Sequence, residues 1–507
     1  MSISNSANSN RIAKNTFVLY VRMLFLMALG LYTSRVILQT LGVEDFGIYN
    51  VVGGVVSLFS VLSGSLSAAI SRYITFELGK SNYDRLNKIF CVSINIQLIL
   101  GILIIVIVEI IGVWFMNNVM DIQSARLGAA NWVLQISLFT FIINLINVPY
   151  NALIVAHERM SAFAYISILE GMGRLLIALL IGSAPFDRLI FYAFLMCLLS
   201  ICIRLIYQVY CRRKFKESKY KIVHDNNLLK EIFGFAGWNF LGSSSGLLAN
   251  HGLNLLMNVF FGVVANASRG VANQVDHVAH NFVSSFMTAL NPQITKAYAR
   301  GDYEYMHGLM CKGAKYSYFI MMIIVLPIMI ETDLVLNLWL TVVPDFSVIF
   351  LRWTLIISLT YVLSNTLITA MLATGKIKKY QIIISSISYS ILPLTYIFFH
   401  YGFSPYYGYI VVFLAYLIEL FVRIKLLNQM VGLSMRRFCV EVILNVFIVT
   451  ILSSIIPFLL YHLLLPGIFR FSLVVISCII SSFFSIWFFG LTDEEHELIK
   501  MKSVQYT

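Results

Sequence analysis

Residues 264–292 read VANASRGVANQVDHVAHNFVSSFMTALNP, an apolar span that also contains amide and ionisable side chains. Residues three and four positions apart lie on one face of a helix. Ionisable groups at bilayer depth are costly, so this face must contact protein or water rather than lipid. The spacing therefore predicts a helix that lines a solvated cavity. The polar residues on that face are Asn266, Arg269, Asn273, Asp276, His277 and His280.

The whole chain has the composition of a membrane protein. Of its 507 residues, 59% are hydrophobic and 12% are charged, and its mean hydropathy is +0.84. A soluble domain carries about 25% charged residues, whereas runs of roughly 20 apolar residues can cross a bilayer. We expect an all-α polytopic membrane protein with about 14 transmembrane helices. The predicted spans are 15–39, 46–76, 89–113, 131–155, 160–181, 188–210, 232–256, 264–292, 311–330, 347–373, 381–400, 407–426, 440–462 and 471–489.

The net charge of +12 is explained by membrane topology. Connections assigned to one side of the membrane carry 23 lysines and arginines, and those on the other side carry only Arg126, Arg188 and Arg470. Cytoplasmic loops are enriched in these residues. We therefore expect both termini in the cytoplasm, an uncleaved first helix and no nucleic-acid partner.

Two parts of the chain are related by an offset of 220 residues. Gly42-Val43 corresponds to Gly262-Val263, and the turn at 79–84 corresponds to the turn at 300–304. This offset predicts two six-helix lobes related by a parallel repeat, with two further helices at the C-terminus. The small residues Ser57, Ser60, Gly64 and Ser71 of the first copy match His277, His280, Ser284 and Asn291 of the second.

The repeat and the longest basic connection predict the domain organisation. Residues 1–213 form an N-terminal lobe with helices one to six, and 214–231 form a cytoplasmic inter-lobe loop. Residues 232–430 form a C-terminal lobe with helices seven to twelve, and 431–507 hold the last two helices and a cytoplasmic tail. Spans nine to fourteen are the more uniformly apolar and aromatic, so we expect them to face lipid or lie peripherally. Pro292 predicts a break at the end of its span.

No catalytic motif is present, so we expect no enzyme activity and no cofactor. The chain has no P-loop, HExxH, GxSxG or DxD motif, and its seven cysteines include no CxxC pair. His277 and His280 could act as metal ligands with Asp276 or Asn273 as a third. The same residues also fit the role of hydrogen-bonding groups in a solvated cavity, and we expect no metal.

Arginines outnumber carboxylates inside the predicted spans. An arginine is always charged, and its planar guanidinium matches phosphate oxygens, so this excess predicts an anionic headgroup such as a diphosphate. Glu170 and Arg174 are four residues apart and could instead neutralise each other. The arginines are Arg22, Arg35, Arg72, Arg174, Arg204, Arg269 and Arg352, and the carboxylates are Glu109, Glu170, Asp276 and Glu419.

Five segments resemble bacterial polysaccharide transporters. They are NTFVLYVRM at 15–23, YTSR at 32–35, LGVEDFGIYNVVGG at 41–54, GVVANA at 262–267 and PQITK at 292–296. The resemblance is to Wzx-type O-antigen flippases of the MOP superfamily, which also contains MATE exporters and the lipid II flippase. It implies an alternating-access flippase that moves an undecaprenyl-diphosphate-linked oligosaccharide across the bacterial inner membrane.

The resemblance also implies partners and a site. The expected partners are the lipid-linked oligosaccharide, membrane lipids, and polysaccharide polymerase and chain-length machinery. Members of that family place cationic residues in a central cavity, and Arg22, Arg35 and Arg269 match best here. The candidate substrate-binding residues are Arg22, Arg35, Arg174, Arg269, Asn273, His277 and His280, with Asp276 as the candidate for ion coupling.

Two alternatives remain open at this point. A MATE-type multidrug exporter would share the fold, and its cation-coupled forms rely on intramembrane carboxylates. Spans one and two contain none in their interiors, whereas Asp276 in span eight would serve. A membrane-embedded polymerase or ligase would carry a large periplasmic loop, and the longest outer connections, 114–130 and 331–346, are short.

Overall fold

The protein is helical throughout the residues that the computed structural model describes. These are 2–57, 59–118, 125–223, 225–340, 342–492 and 495–496, with side chains described from residue 11 except at 31, 43, 50, 51, 53–57, 61, 115, 117 and 263. No strand occurs in these ranges, which confirms the predicted fold class. The helices are α1 (Ser2–Ser57), α2 (Ser60–Gly79), α3 (Tyr83–Ile107), α4 (Val113–Asn118), α5 (Leu127–Ala156), α6 (Met160–Leu180), α7 (Arg188–Lys214), α8 (Asn226–Arg300), α9 (Tyr303–Ile330), α10 (Thr332–Trp339), α11 (Ser347–Val362), α12 (Asn365–Thr374), α13 (Lys378–His400), α14 (Tyr407–Val431), α15 (Met435–Phe438), α16 (Asn445–Leu463) and α17 (Ile468–Ser485).

Most of these helices are long and apolar enough to cross a membrane. Within the described ranges nine qualify, and the bent pair α11 and α12 adds a tenth. The other predicted spans, 46–76, 232–256, 264–292 and 407–426, are not among these ten, and their described residues lie mainly in α1, α2, α8 and α14. The protein is therefore a multi-pass membrane protein, and the total of fourteen spans stays a prediction.

The two longest helices each contain one residue with a non-helical backbone. In α1 this residue is Gly42 (φ 83°, ψ 170°), and in α8 it is Gly262 (φ 76°, ψ −171°). This region of backbone space is essentially restricted to glycine. The two kinks are separated by the predicted offset of 220 residues.

The turns that follow α2 and α8 also match at this offset. Ser81 (φ 58°) and Gly301 (φ 74°) both adopt a left-handed conformation. Asn82 and Asp302 then cap α3 and α9, each accepting a hydrogen bond from the backbone N–H three residues ahead, at 3.1 and 3.2 Å. An uncapped helix start leaves backbone donors unsatisfied, so both turns begin the next helix in the same way. The predicted parallel repeat is confirmed at these positions.

The chain folds into two compact units with related packing. Residues 13–243 form the N-terminal unit, and residues 244–507 together with 1–12 form the C-terminal unit. In the first, α5 packs on α3 and α7, and α6 packs on α7. In the second, α11 packs on α9 and α14, and α13 packs on α14. The unit boundary falls inside α8, and the predicted domain boundaries at 213, 231 and 430 stay a prediction.

The basic connection after α7 is fixed to the N-terminal unit. Asn87 on α3 donates hydrogen bonds to the backbone oxygens of Glu217 (2.7 Å) and Lys219 (2.9 Å). The Glu217 carboxylate lies 2.6 Å from the His157 ring nitrogen. Burial is the largest single influence and would raise the pKa of Glu217, but the hydrogen bond with His157, a backbone hydrogen bond and the charge of His157 together outweigh it, and the pKa lies below its usual value. This part of the predicted inter-lobe loop is therefore ordered.

Helices α16 and α17 pack on α9 as an addition to the repeat. Arg470 donates two hydrogen bonds to the Glu331 carboxylate, at 2.7 and 2.9 Å, and both side chains are buried. The guanidinium also lies 4.3 Å from the centre of the Tyr461 ring. A buried charge needs such a partner, so this pair ties the last helix to the end of α9.

The predicted helix break at Pro292 is wrong, because α8 remains helical to Arg300. A proline removes one hydrogen bond of the helix, and membrane helices tolerate this loss where neighbouring helices pack around them. Leu290 and Ile294, on either side of the proline, are buried.

We expect Gly262→Ala to destabilise the protein. A Cβ at this position would meet no atom within 4 Å, so the penalty comes from the backbone conformation alone and amounts to about 1–3 kcal/mol. The midpoint of thermal unfolding of the purified protein in detergent measures the effect. Gly246→Ala is the matched control, since Gly246 is helical in the same element and equally uncrowded. Equal unfolding midpoints for both variants would contradict this account.

Candidate functional site

The C-terminal unit contains a cavity of about 200 Å³. The parts of α8 before and after Gly262 both contribute to its wall, and α11, α13 and α14 form the rest. Its polar lining from α8 consists of Asn250, Arg269, Asn273, Asp276 and His280, and that from α11 and α14 consists of Thr354, Ser358, Tyr361, Tyr409 and Tyr416.

Arg269 is the most deeply buried charge in this lining, with 5% of its surface exposed. Its Nη2 donates to the side-chain oxygen (2.8 Å) and backbone oxygen (3.2 Å) of Asn250. The Tyr409 ring centre lies 5.8 Å from its guanidinium carbon. Among the described residues, Nε and Nη1 have no hydrogen-bond partner, and no carboxylate lies within 4.0 Å. Arg269 thus keeps an unneutralised charge and two unused donor nitrogens beside the cavity.

Asp276 lies two helical turns after Arg269 and has its own partners. Its Oδ1 accepts hydrogen bonds from Ser358 Oγ and from His280 Nδ1, the latter at 3.1 Å. The His280 ring faces Tyr361, with ring centres 6.3 Å apart. Within the described ranges, no group of three His, Cys, Asp or Glu side chains is placed to hold a metal ion.

A second buried arginine on α14 is neutralised by a carboxylate. Arg423 donates to Glu419 at 2.7 Å and to the Ser364 hydroxyl at 3.2 Å. Glu419 also accepts a hydrogen bond from Ser388 at 2.7 Å, and both charged side chains are at most 4% exposed. This network satisfies its own charges, so it has the character of a structural ion pair.

Four of the eight candidate residues share the cavity. They are Arg269, Asn273, Asp276 and His280, at spacings of four, three and four residues along α8. His277 is exposed and does not line the cavity.

The other three candidates, Arg22, Arg35 and Arg174, belong to the N-terminal unit. Arg22 packs over the Phe163 ring at 4.5 Å, and its buried Nε has no hydrogen-bond partner among the described residues. Arg35 is exposed. Arg174 donates to Glu170 at 2.5 Å, which is the mutual neutralisation that their spacing allowed.

Half of the polar lining lies outside the candidate residues predicted from the sequence. The expectation that spans nine to fourteen face lipid or lie peripherally is wrong for α11 and α14, whose hydroxyl-bearing residues line the cavity. A signal was present, because Tyr409 and Tyr416 are two turns apart and Ser358 and Tyr361 are three residues apart, so each pair lies on one helical face.

The repeat provides an internal comparison for this polar lining. In the N-terminal unit Tyr49 stands where the second copy has Arg269, and it packs against Tyr192 with ring centres 4.8 Å apart. Both tyrosines belong to an apolar cluster with Ile37 and Ile177. Tyr49 therefore packs in an apolar environment, whereas its second-copy counterpart Arg269 lines a polar cavity. The first-copy equivalents of Asn250, Arg269, Asn273 and Asp276 are Gly30, Tyr49, Gly53 and Val56.

A multi-pass helical fold built from a parallel repeat, with a polar cavity inside one repeat unit, defines a membrane transporter. The chain belongs to the polysaccharide biosynthesis protein family, whose model matches residues 12–298, more than half of its length. A curated relative, the uncharacterized membrane protein EpsK of Bacillus subtilis (strain 168), is 22% identical over 333 residues. That match covers 63% of each chain, so the chain spans less than two thirds of this relative.

Solved transporter structures share the fold. A MATE transporter in complex with MaD3S superposes with a TM-score of 0.72 at 16% identity, covering 83% of this chain and 97% of that one. A MOP superfamily transporter from Pyrococcus furiosus, described as having a binding pocket of reverse polarity, gives a TM-score of 0.67 at 16% identity, with 83% and 96% covered. At these identities the likeness shows the MATE/MOP fold alone.

We expect Glu419→Gln and Arg269→Gln to differ sharply in their effect on stability. Glu419→Gln leaves Arg423 buried without a carboxylate, which costs about 3–5 kcal/mol. Arg269→Gln removes no ion pair, and the loss of its bonds to Asn250 costs about 1 kcal/mol. Thermal unfolding midpoints in one detergent compare the two variants. Similar decreases in the unfolding midpoint of the two variants would contradict the distinction between Arg423 as a structural arginine and Arg269 as a cavity-lining one.

Proposed function

We propose that this transporter is a flippase for an undecaprenyl-diphosphate-linked oligosaccharide. It moves this cargo from the cytoplasmic to the periplasmic leaflet of the bacterial inner membrane by alternating access, with both termini in the cytoplasm. Membership of the polysaccharide biosynthesis family supports a saccharide cargo, and the MATE/MOP fold supports transport. The observation that carries the proposal is Arg269, a buried cation beside a cavity with no carboxylate within 4.0 Å among the described residues.

An anionic group on the cargo explains why such a cation is kept. A buried guanidinium with unused donors is unfavourable, and binding an anion satisfies both the charge and the donors. Arg22 and Arg35 in the N-terminal unit are further candidates for anionic parts of the cargo, with Asn273, His277 and His280 as polar contacts. Arg174 would take part only after separation from Glu170, so it ranks last among the arginines.

Asp276 is the candidate for energy coupling. Its carboxylate accepts hydrogen bonds from His280 and Ser358, so a proton or a sodium ion bound there would change a connected network. On the periplasmic side, polysaccharide polymerase and chain-length machinery would receive the cargo.

A MATE-type multidrug exporter is the second candidate. It is favoured by one observation, the carboxylate of Asp276 in the lining of a cavity within a MATE-like fold. The buried cation Arg269 opposes it, because a cationic drug in the same cavity would be repelled.

Deletion of the gene is expected to cause lipid-linked oligosaccharide to accumulate on the cytoplasmic side and to abolish surface polysaccharide. Extraction and mass analysis of lipid-linked intermediates measure this and identify the cargo. Growth in the presence of cationic drugs is measured in the same strain. Normal lipid-linked intermediates together with increased drug sensitivity would establish the exporter instead.

Arg269→Ala is expected to fail in restoring surface polysaccharide to the deletion strain while reaching normal membrane abundance. The loss follows from removing the cation that binds the cargo. Arg436→Gln is the matched control, because it removes one exposed positive charge from the same unit outside the cavity. Full restoration by Arg269→Ala would remove Arg269 from the site.

A further inference from the structure

The cavity of the C-terminal unit has the chemistry of a site for one acidic sugar. We propose that it binds a carboxylate-bearing monosaccharide unit of the cargo, with the carboxylate on Arg269 and the sugar ring between α8 and the tyrosines of α11 and α14. The inference rests on the proposed function and specifies one part of its substrate.

The size of the cavity limits its occupant to a small group. Its volume is about 200 Å³, whereas sites for drug-sized ligands measure about 300–1,000 Å³. A whole oligosaccharide does not fit, and a single ring with its substituents is of the right order. Arg269 and Asp276 are seven positions apart, which corresponds to roughly 10 Å along the helix axis. Over that length the two residues can contact opposite ends of one sugar ring.

The charge around the cavity suits a singly charged anion. Arg269 lines the cavity with no carboxylate within 4.0 Å among the described residues, and its Nε and Nη1 have no hydrogen-bond partner there. A carboxylate supplies one negative charge and acceptor oxygens. A diphosphate carries more charge than Arg269 can neutralise, and the carboxylate of Asp276 on the same wall would repel the excess.

The remaining lining suits a sugar ring. Tyr361 and Tyr416 lie with ring centres 5.3 Å apart, and Tyr409 adds a third ring beside Arg269. Tyrosine combines an apolar face, which can cover the C–H surface of a sugar, with a polar hydroxyl. The side chains of Asn273 and Asp276 provide the donors and acceptors that ring hydroxyls require.

The first copy of the repeat shows that this combination is not imposed by the fold. There, Tyr49 and Tyr192 pack in an apolar cluster at the position that Arg269 occupies in the second copy. The polar residues of the second copy therefore require a reason beyond stability, and binding of a ligand provides one.

Ligand-observed NMR titration of the full-length protein in detergent tests the proposal with three probes: sodium D-glucuronate, D-glucose and sodium pyrophosphate. We expect glucuronate to bind, and glucose, which lacks the carboxylate, to bind at least about tenfold more weakly. Arg269→Gln is expected to weaken glucuronate binding about tenfold to a hundredfold and to leave glucose binding unchanged. Arg436→Gln, the matched charge control, should bind glucuronate like the wild type.

Three results would overturn the inference. They are equal binding of glucose and glucuronate, Arg269-dependent binding of pyrophosphate in preference to glucuronate, and no binding of glucuronate to wild-type protein with a normal unfolding midpoint. The deletion experiment separates this failure from failure of the proposed function. Accumulated lipid-linked oligosaccharide with no glucuronate binding refutes the acidic-sugar site alone, whereas normal lipid-linked intermediates refute the flippase.

Discussion

A guanidinium buried in a membrane protein must find a partner, and this constraint organises the C-terminal unit. Arg423 forms an ion pair with Glu419, and Arg470 forms one with Glu331, each with a hydrogen bond of 2.7 Å. Each pair holds helices together. The first is hydrogen-bonded to Ser364, in the break between α11 and α12, and to Ser388 on α13, and the second ties α17 to the end of α9. Among the described residues, Arg269 has only a neutral partner, Asn250, whose side-chain oxygen accepts a hydrogen bond from it. Because the surrounding fold supplies carboxylates elsewhere, the missing carboxylate partner at Arg269 is the feature that the proposed binding role explains.

The repeat separates what the fold requires from what function requires. Backbone features recur at an offset of 220 residues: the glycine kinks at 42 and 262, the left-handed residues at 81 and 301, and the caps at 82 and 302. These features set helix direction and helix starts, which both units need. The side chains in the cavity do not recur. Duplication thus preserved the framework, while the chemistry of the two copies diverged.

The sequence was sufficient to predict a helical multi-pass membrane protein and the repeat at its matched positions, because both depend on local patterns. Apolar run length predicted the membrane helices, and the matched positions of Gly42 and Gly262 predicted the repeat. The three- and four-residue spacing along α8 also predicted that Arg269, Asn273, Asp276 and His280 share a face. The same spacing marks a polar face on α11 and on α14, but it does not predict that these faces meet α8, because the helices lie more than 70 residues later and their contact with α8 is set by tertiary packing. The predicted helix break at Pro292 is wrong for a related reason, since packing around the helix outweighs the local loss of one hydrogen bond.

The positions of Arg269 and Asp276 make cargo binding and ion binding interdependent in the proposed mechanism. Seven residues apart on one helix, they are separated by roughly 10 Å. At an effective dielectric constant of about 20, two unit charges at that distance interact by about 1.6 kcal/mol. An anion on Arg269 cancels this attraction and makes a bare carboxylate at Asp276 less favourable, so it promotes uptake of a proton or cation in the Asp276–His280 network. Linkage is reciprocal, and ion uptake must strengthen anion binding by the same factor, about tenfold. Replacing either charged residue by asparagine or glycine would remove this interaction. The coupling between cargo binding and ion binding therefore requires both Arg269 and Asp276.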